Sequence, residues 1–320
     1  MMEWLRRMTK MREFMIFMIV TTIFVVMSFA SPYFLSTANI LALLLGLSIE
    51  TMIAVAMVNL MVSGGFDMSV GSVVAFSGAA VGLLIRSGLP VMVAILIGIM
   101  IGSAIGFING FIVSKLGINP FVTTLASLSI YRGLTLILTK GQNVTGLGST
   151  FKLIGQSKIL GIQMPIWYAV IFVIIGDILL RKSRFFRQNY YIGGNEKAAK
   201  LSGIDVMKMK ILNYVLTGAF AAMAGIVMTS RLGAASVTAG TGLELRVITA
   251  VIIGGASLNG GEGTVTGAFL GSLLMALIIN SLTLLGVDVY WQTFVIGATL
   301  LLAVLIDQYG KIRKERKAFA

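Results

Sequence analysis

Long apolar runs divide the chain into segments of membrane-spanning length, separated by short polar or glycine-rich stretches. Because about 18 or more consecutive apolar residues are typical of a bilayer-spanning helix, the pattern predicts an all-α membrane protein. We place ten transmembrane helices in a polytopic bundle, at residues 14–30, 40–62, 67–85, 91–113, 119–138, 164–180, 211–229, 245–258, 264–282 and 290–307. The third and eighth are short and glycine-rich, which predicts broken or re-entrant helices. We expect residues 1–320 to form a single transmembrane domain.

One internal segment, residues 181–210, is basic and polar where the rest of the chain is apolar. It holds eight of the 25 Lys and Arg residues. Within it, Asn195 is a favourable N-cap residue, so we expect a short helix at residues 196–202. Gly203 can end that helix in the left-handed conformation. Asp205 predicts the cap of the following helix. A capped helix inside an internal loop indicates a surface presented to a cytosolic partner. The alternative is a charged loop that only fixes orientation in the membrane.

The distribution of charge orients the predicted bundle. With ten spans, 18 of the 25 Lys and Arg lie on one side, in the N-terminal segment (Arg6, Arg7, Lys10, Arg12), at Lys115, in the 181–210 loop and in the C-terminal segment (Lys311, Arg313, Lys314, Arg316, Lys317). Five lie on the opposite side, and Arg132 and Arg246 fall within or at the edge of spans. Since positive residues concentrate in cytosolic loops, both termini are predicted to be cytosolic, in a bacterial inner membrane. The same bias accounts for the net charge of +13, so we expect membrane lipid, and no nucleic acid, as a partner.

Composition narrows the possible chemistry. The chain has no Cys and no His, which excludes disulfides, thiolate or imidazole metal ligands, and catalysis by either residue type. No G-x-x-x-x-G-K-[ST] phosphate-binding loop is present, so ATP hydrolysis by that route needs another subunit. We expect no cofactor, no metal and no catalytic residue. The 37 glycines include helical repeats at 98–106 and 263–271, which predict closely packed helices.

Charged residues inside apolar runs are costly in a bilayer and are usually paired or functional. Asp177 and Arg181 are four residues apart and predict an ion pair on one helix face. Glu50 has no partner nearby in the sequence, and Arg132 is a candidate. Asp67 follows a pair of glycines. It predicts either a helix break that lines a transport path or a cap at the cytosolic surface with no contact to substrate.

Two Gly-Gly pairs, Gly64-Gly65 and Gly254-Gly255, lie beside glycine-rich segments. Glycine permits backbone geometry that alanine resists, and freed backbone groups at membrane depth are tolerated only beside protein or a wet cavity. We expect the two breaks to flank an inner gate; plain close packing of helices is the alternative. The candidate gate and translocation residues are Gly64, Gly65, Asp67, Ser69, Asn119, Thr123, Gly254, Gly255 and Ser257.

Four ordered blocks carry a likeness to a known family. They are GGFDMSVGSVVAF (64–76), SKLGINPFVTTLASLSIYRGL (114–134), IGGNEKAAKLSGIDVMKMKI (192–211) and GTGLELRVITAVIIGGASLNGGEGTVTGAFLG (240–271). The chain resembles the membrane-spanning permease subunits of bacterial ABC importers for ribose, xylose, galactose and related monosaccharides. The likeness extends over nearly the whole chain. Arg246 departs from the family pattern, which usually has an acidic residue there.

The resemblance implies a function, partners and a coupling site. A permease of this kind translocates a monosaccharide or similar small neutral polyol. A cytosolic ATPase subunit hydrolyses ATP, an extracytoplasmic binding protein delivers the sugar, and a second permease copy completes a homodimer. In the family a short cytosolic helix docks into a groove on the ATPase. Carried over to this chain, the coupling residues are Gly193, Gly194, Asn195, Glu196, Ala198, Ala199, Leu201 and Gly203.

Two rival functions remain to be weighed. An ion-coupled secondary sugar carrier often buries several acidic residues or histidines at the membrane midplane, and this chain has few candidates. An intramembrane enzyme would need a nucleophile with a base, or a metal cluster, at membrane depth. The sequence has no His or Cys and no paired carboxylates at helical spacing to supply these.

Overall fold

The computed structural model describes the backbone of residues 12–318 and the side chains of residues 13–309. The basic residues Arg6, Arg7 and Lys10, and the side chains of Arg12 and of the C-terminal basic segment, lie outside these limits. The described elements are α1 (Arg12–Ala30), α2 (Thr37–Val62), α3 (Val70–Arg86), α4 (Val91–Lys115), α5 (Pro120–Thr139), α6 (Gly148–Gln156), β1 (Lys158–Ile159), β2 (Ile162–Gln163), α7 (Met164–Lys182), α8 (Gln188–Gly194), α9 (Glu196–Leu201), α10 (Val206–Leu232), α11 (Leu243–Ile253), α12 (Val265–Leu284) and α13 (Val289–Ala318). β1 and β2 form an antiparallel hairpin, with Lys158 opposite Gln163.

Eight of the described helices are long and apolar enough to cross a membrane, and they coincide with eight of the ten predicted spans. The other two predicted spans are α3, with 17 residues, and α11, with 11. At 1.5 Å per residue these helices are about 25 Å and about 16 Å long, shorter than a hydrocarbon core of about 30 Å. The prediction of a polytopic all-α protein with two short helices is therefore confirmed.

The eighth predicted segment, 245–258, ends earlier than expected, at Ile253. The reason is the backbone at Gly255, which has φ +97, in the region that only glycine adopts easily. The chain then continues through a glycine-rich loop, residues 254–264, before α12 begins. We refer to these residues as the 254–264 loop.

Glycine contacts hold the centre of the bundle together. α4 packs along α10, where Gly102 faces the Gly218 carbonyl and the Ala222 methyl, and Gly106 faces the Tyr214 carbonyl. A methyl group at either glycine of α4 would collide with the backbone of α10. Since helices in a bilayer associate through packing contacts, these small residues allow the close approach that the sequence repeat predicts.

The two ends of the bundle are distinguished by their contacts. At the end that carries α8 and α9, here called the α9 end, Glu13 at the start of α1 accepts a hydrogen bond from Thr264 at 3.1 Å. Arg181 near the end of α7 donates to Thr266 there at 2.9 Å. At the opposite end, here called the hairpin end, Val144 pairs with Ala235. The starts of α1 and α12 and the end of α7 therefore lie at the α9 end, and the loops that follow α5 and α10 meet at the hairpin end.

Candidate coupling and translocation site

The short helix α9 is built by local capping. Asn195 Oδ1 accepts a hydrogen bond from the Ala198 amide at 3.0 Å, and Gly203 has φ +83. The predicted N-cap and left-handed stop are thus confirmed, with the helix ending at Leu201. Asp205 Oδ1 accepts from the Lys208 amide at 3.1 Å, so it caps α10 as predicted. The Lys208 side chain also bonds to Asp205 and holds the pKa of this exposed carboxyl below its usual value.

The apolar face expected on α9 needs one correction. Ala199 is only 3% exposed, because its methyl packs into a cluster with Ile192, Val206 and Met209. It anchors α9 to the rest of the chain and cannot touch a partner. Leu201 is 90% exposed and Ala198 is exposed beside it. The surface that α9 offers is therefore smaller than the sequence suggested.

Polar contacts fix the position of α9 relative to α10. Glu196 Oε2 forms an ion pair with Lys210 Nζ at 2.6 Å. Both residues line a cavity of about 710 Å³ at the α9 end, which also includes Lys200, Asn119 and Gly64. Asn119 was expected on the translocation path. Its side chain accepts a hydrogen bond from the Phe121 amide at 2.8 Å and so caps α5. Because Asn119 lines the same cavity as Glu196, it lies beside α9.

Gly193 at the end of α8 packs against the end of α2, just before the first glycine break, and against the 254–264 loop that begins with the second. A Cβ at this position would collide with the Val62 carbonyl and the Gly261 amide, and would lie 2.9 Å from the Gly260 carbonyl carbon. The Gly261 amide donates to the Val62 carbonyl at 2.9 Å, which joins the end of α2 to the 254–264 loop. Gly194, the next residue, has no atom within 4 Å of such a Cβ. Only the first glycine of the pair is needed for close approach.

A buried polar network reinforces this junction. Asn213 of α10 donates to Ser63 Oγ at 3.1 Å and to Asn189 Oδ1 of α8 at 2.9 Å. Tyr190 Oη donates to the Gly263 carbonyl at 2.7 Å. The sequence reasoning did not identify these residues. The sequence feature that could have indicated the network is Asn213, a polar residue at the start of an apolar run, but such a residue does not by itself reveal its partner.

The first glycine break leads into a separate buried cluster. Gly64 has φ +82, and Asp67 Oδ1 accepts from the Ser69 amide at 2.7 Å and the Ser69 hydroxyl at 2.6 Å. Asn109 of α4 donates to Ser69 Oγ at 3.1 Å and accepts from the Ser127 hydroxyl of α5. Asp67 is 1% exposed, so it does not lie at the surface. The interpretation of Asp67 as a cap at the cytosolic surface required a surface position. It holds the start of α3 from within the bundle.

The remaining predicted gate residues are packed in different places. Gly65 lies against Leu60 and the Tyr214 hydroxyl of α10. Gly254 lies against the Gly267 carbonyl of α12. Ser257 is fully buried, and its amide donates to the Glu262 carbonyl at 3.1 Å.

Direct contact between the two breaks comes through other residues of the second loop. A Cβ at Gly260 would lie 2.9 Å from the Gly64 amide nitrogen. Thr123 of α5 is 6% exposed, and its hydroxyl has no hydrogen-bond partner among the described residues. The structure therefore brings the first break, at Gly64, against Gly260 of the 254–264 loop, whereas Ser69 bonds to Asn109 of α4 and Thr123 lies on α5.

The structure also decides the charged pairs. Asp177 and Arg181 form the predicted ion pair, at 2.8 Å. The suggested match of Glu50 with Arg132 is wrong. Arg132 Nη1 donates to the carbonyls of Val237 and Ala239, at 3.0 and 2.9 Å, because α5 packs beside the loop before α11. Glu50 instead shares a cavity with Arg246.

Comparison with known proteins identifies the family. Residues 39–304 match the family described as the branched-chain amino acid transport system permease component. The chain belongs to this permease family. Ribose import permease protein RbsC of Bacillus subtilis (strain 168) is 44% identical over 286 residues, 89% of each chain. RbsC of Escherichia coli (strain K12) is 38% identical over 88% of this chain and 89% of its own. L-arabinose ABC transporter permease protein AraH of Azospirillum brasilense is 37% identical over 95% and 89%. No solved structure matches the chain significantly.

Membership confirms the resemblance drawn from the four sequence blocks: the chain is the multi-pass permease component of an ABC import system. None of these matches supports the ion-coupled carrier that the sequence left as an alternative. The family description and the relatives name different cargoes, amino acids in one case and sugars in the other. The shared role is therefore that of a permease, and the cargo needs a separate argument.

Proposed function

We propose that this chain forms the transmembrane domain of an ATP-driven sugar importer and is itself without a catalytic site. A separate cytosolic ATPase subunit hydrolyses ATP, and an extracytoplasmic binding protein delivers the cargo. Both termini and the α9 end face the cytosol, as the concentration of Lys and Arg in the 181–210 segment indicates. The named relatives import ribose and L-arabinose, so the cargo is a neutral five-carbon sugar.

The close packing of Gly193 against the end of α2 and the 254–264 loop is the observation that supports the coupling step. α9 presents Leu201 to the ATPase, and Ala199 locks α9 to α8 and α10. α8 in turn rests on the end of α2 and on the 254–264 loop without side chains between them. Because packed backbones transmit displacement with little slack, a push on α9 moves both glycine breaks together.

The two breaks form the inner gate in this proposal. Gly64 and Gly260 lie in contact, and the neighbouring Asn119 and Gly64 line the polar cavity beside α9. Moving α8 would separate or close these segments and so open or shut the cytosolic end. A second copy of the chain completes the path, with the sugar passing between the two permeases. Hydroxyl and amide groups such as Thr123 and Asn119 suit an uncharged sugar.

The experiment compares two matched substitutions of exposed leucines. Leu201→Asp places a charge on the docking surface of α9. Leu160→Asp places the same charge on an exposed leucine at the hairpin end, far from α9, where Leu160 is 87% exposed. We expect Leu201→Asp to abolish copurification of the ATPase and ATP-dependent ribose uptake in proteoliposomes. Leu160→Asp should leave ATPase copurification intact. Full ATPase binding and uptake with Leu201→Asp would refute the role of α9.

The cargo is tested in the same proteoliposomes with the unaltered chain. ATP-dependent uptake of ribose or arabinose, delivered by the binding protein, is the expected result. Uptake driven by a proton or sodium gradient without ATP would refute the proposed energy source. ATP-dependent uptake of leucine with no uptake of either pentose would retain the permease and overturn the sugar.

A further inference from the structure

A second cavity lies at the hairpin end of the bundle, away from the coupling junction. It has a volume of about 270 Å³ and is bounded by α2, α10, α11 and α12 and by Gly240 in the loop before α11. Its polar lining includes Glu50, Arg231, Arg246, Asn280 and Thr283. Among the side chains that the structure describes, no aromatic ring lines it. The volume is near the lower limit of ligand pockets, about 300 Å³, so the space suits a small polar solute.

The position of the charged groups gives the cavity a direction. Arg231 lies in the last turn of α10, the turn farthest from α9. Glu50 lies near the middle of α2, about 20 Å from the start of that helix at 1.5 Å per residue. The cavity thus runs from the hairpin end to mid-membrane depth, with an arginine near its outer end and the carboxylate at its floor.

Two of these groups lack the partners that buried polar atoms normally have. Glu50 is 4% exposed, and its Oε1 has no hydrogen-bond partner among the described residues. Arg246 Nε is likewise buried and has no hydrogen-bond partner among the described residues. A buried polar atom left without a hydrogen bond is costly, so both atoms indicate an interaction with something that occupies the cavity.

The charge balance selects the type of ligand. Two arginines, Arg231 and Arg246, and a single carboxyl group, Glu50, line the cavity, which leaves it with at least one excess positive charge. Glu244, on another face of α11, lies within electrostatic reach of Arg132 and also of Arg246, and because Arg132 balances its charge the excess is retained. A monoanion removes the excess charge, whereas a neutral sugar or a zwitterion leaves it. Guanidinium groups match carboxylate and phosphate oxygens with paired donors.

We propose that this cavity binds a small hydroxylated monoanion, a sugar carboxylate being the fitting class. Its anionic oxygens contact Arg231 and Arg246, and a hydroxyl donates to Glu50 Oε1. The cavity lies at the opposite end of the bundle from the proposed inner gate, and binding to it does not depend on the ATPase. The phosphate of an anionic lipid shares the same chemistry and is the competing occupant that the experiment must distinguish.

Binding of D-gluconate to the purified permease in phosphatidylcholine nanodiscs, measured by titration calorimetry, tests the proposal. D-Glucose, which lacks the carboxylate, should bind at least about 10-fold more weakly, since a hydrogen bond to a charged group is worth about 10- to 100-fold in affinity. Arg246→Gln should weaken gluconate binding by a similar factor. Arg231→Gln, on a different helix, provides the same test if the first variant does not fold.

Arg86→Gln is the matched control, because Arg86 is an exposed arginine at the hairpin end of α3 and does not line the cavity. It should bind gluconate as the unaltered chain does. Equal binding of glucose and gluconate, or gluconate binding unchanged in both cavity variants, would overturn the proposal. A third outcome would also overturn it: gluconate does not bind, and a phosphatidylglycerol molecule is retained by the unaltered chain and lost from Arg246→Gln. That result would assign the cavity to lipid phosphate.

Discussion

Gly193→Ala is the sharpest test of the coupling junction. The substitution adds one methyl group at a point where the Val62 carbonyl, the Gly261 amide and the Gly260 carbonyl carbon already fill the space. Every one of these atoms belongs to the backbone, so no flexible side chain can turn away. The φ of Gly193 is not in the left-handed region, and the added methyl therefore acts through this collision alone.

The expected cost follows from the contacts that must move. Separating α8 from the 254–264 loop strains the 2.9 Å hydrogen bond between the Gly261 amide and the Val62 carbonyl. A buried backbone group left unsatisfied costs about 1–3 kcal/mol, and overpacking costs about 1–3 kcal/mol. We expect the free energy of unfolding to fall by roughly 2–6 kcal/mol, which at about 2.1 cal/mol/K per residue corresponds to a decrease in melting temperature of about 3–9 °C.

Gly194→Ala is the matched control, because a Cβ there meets no atom within 4 Å. It should have the melting temperature of the unaltered chain or a slightly higher one, since alanine is the better helix former. Thermal unfolding in detergent measures stability, and proteoliposomes measure ATP hydrolysed per sugar imported. Gly193→Ala should raise that ratio at temperatures where the protein is folded. Indistinguishable melting temperatures and ratios for the two variants would refute the reasoning.

Three further predictions concern the same region. Tyr190→Phe should lower the free energy of unfolding by about 0.5–1.5 kcal/mol in chemical denaturation, because the partly buried hydrogen bond to the Gly263 carbonyl is lost. Tyr191→Phe, at a tyrosine that is 59% exposed, should have no such effect. A cysteine at the fully buried Ser257 should resist a water-soluble thiol reagent until nucleotide trapping on the ATPase moves the gate; no labelling in any state would count against a moving gate. Reporter fusions after Gly203 and Gly146 should report cytosol and exterior respectively, and a cytosolic signal at Gly146 would contradict the ten-span topology.

Much of the fold is readable from the sequence because its determinants are local. Apolar run length predicts the long helices, and the two short ones follow from glycine content within their segments. The caps at Asn195 and Asp205 and the turn at Gly203 depend on bonds within three or four residues, so each is recognisable without knowing the rest of the structure.

The candidate site is only partly predictable for the complementary reason. Glu50 and Arg132 are plausible partners in one dimension, yet Arg132 bonds to carbonyls more than 100 residues away along the chain. Ala199 has the composition of a docking face, but its burial depends on Met209 and Val206 in the next helix.

An all-α membrane permease with a capped helix in a basic loop can thus be predicted without the structure. Local hydrophobicity, capping and charge carry that information. Assembly of the helices is what places Gly193 against the end of α2 and the 254–264 loop, while the adjacent Gly194 faces open space. Two identical residues in succession have the same local preferences, and they differ only in which distant backbones approach them. Close packing between segments far apart in the chain therefore sets the coupling junction, because it arises only when the helices are assembled.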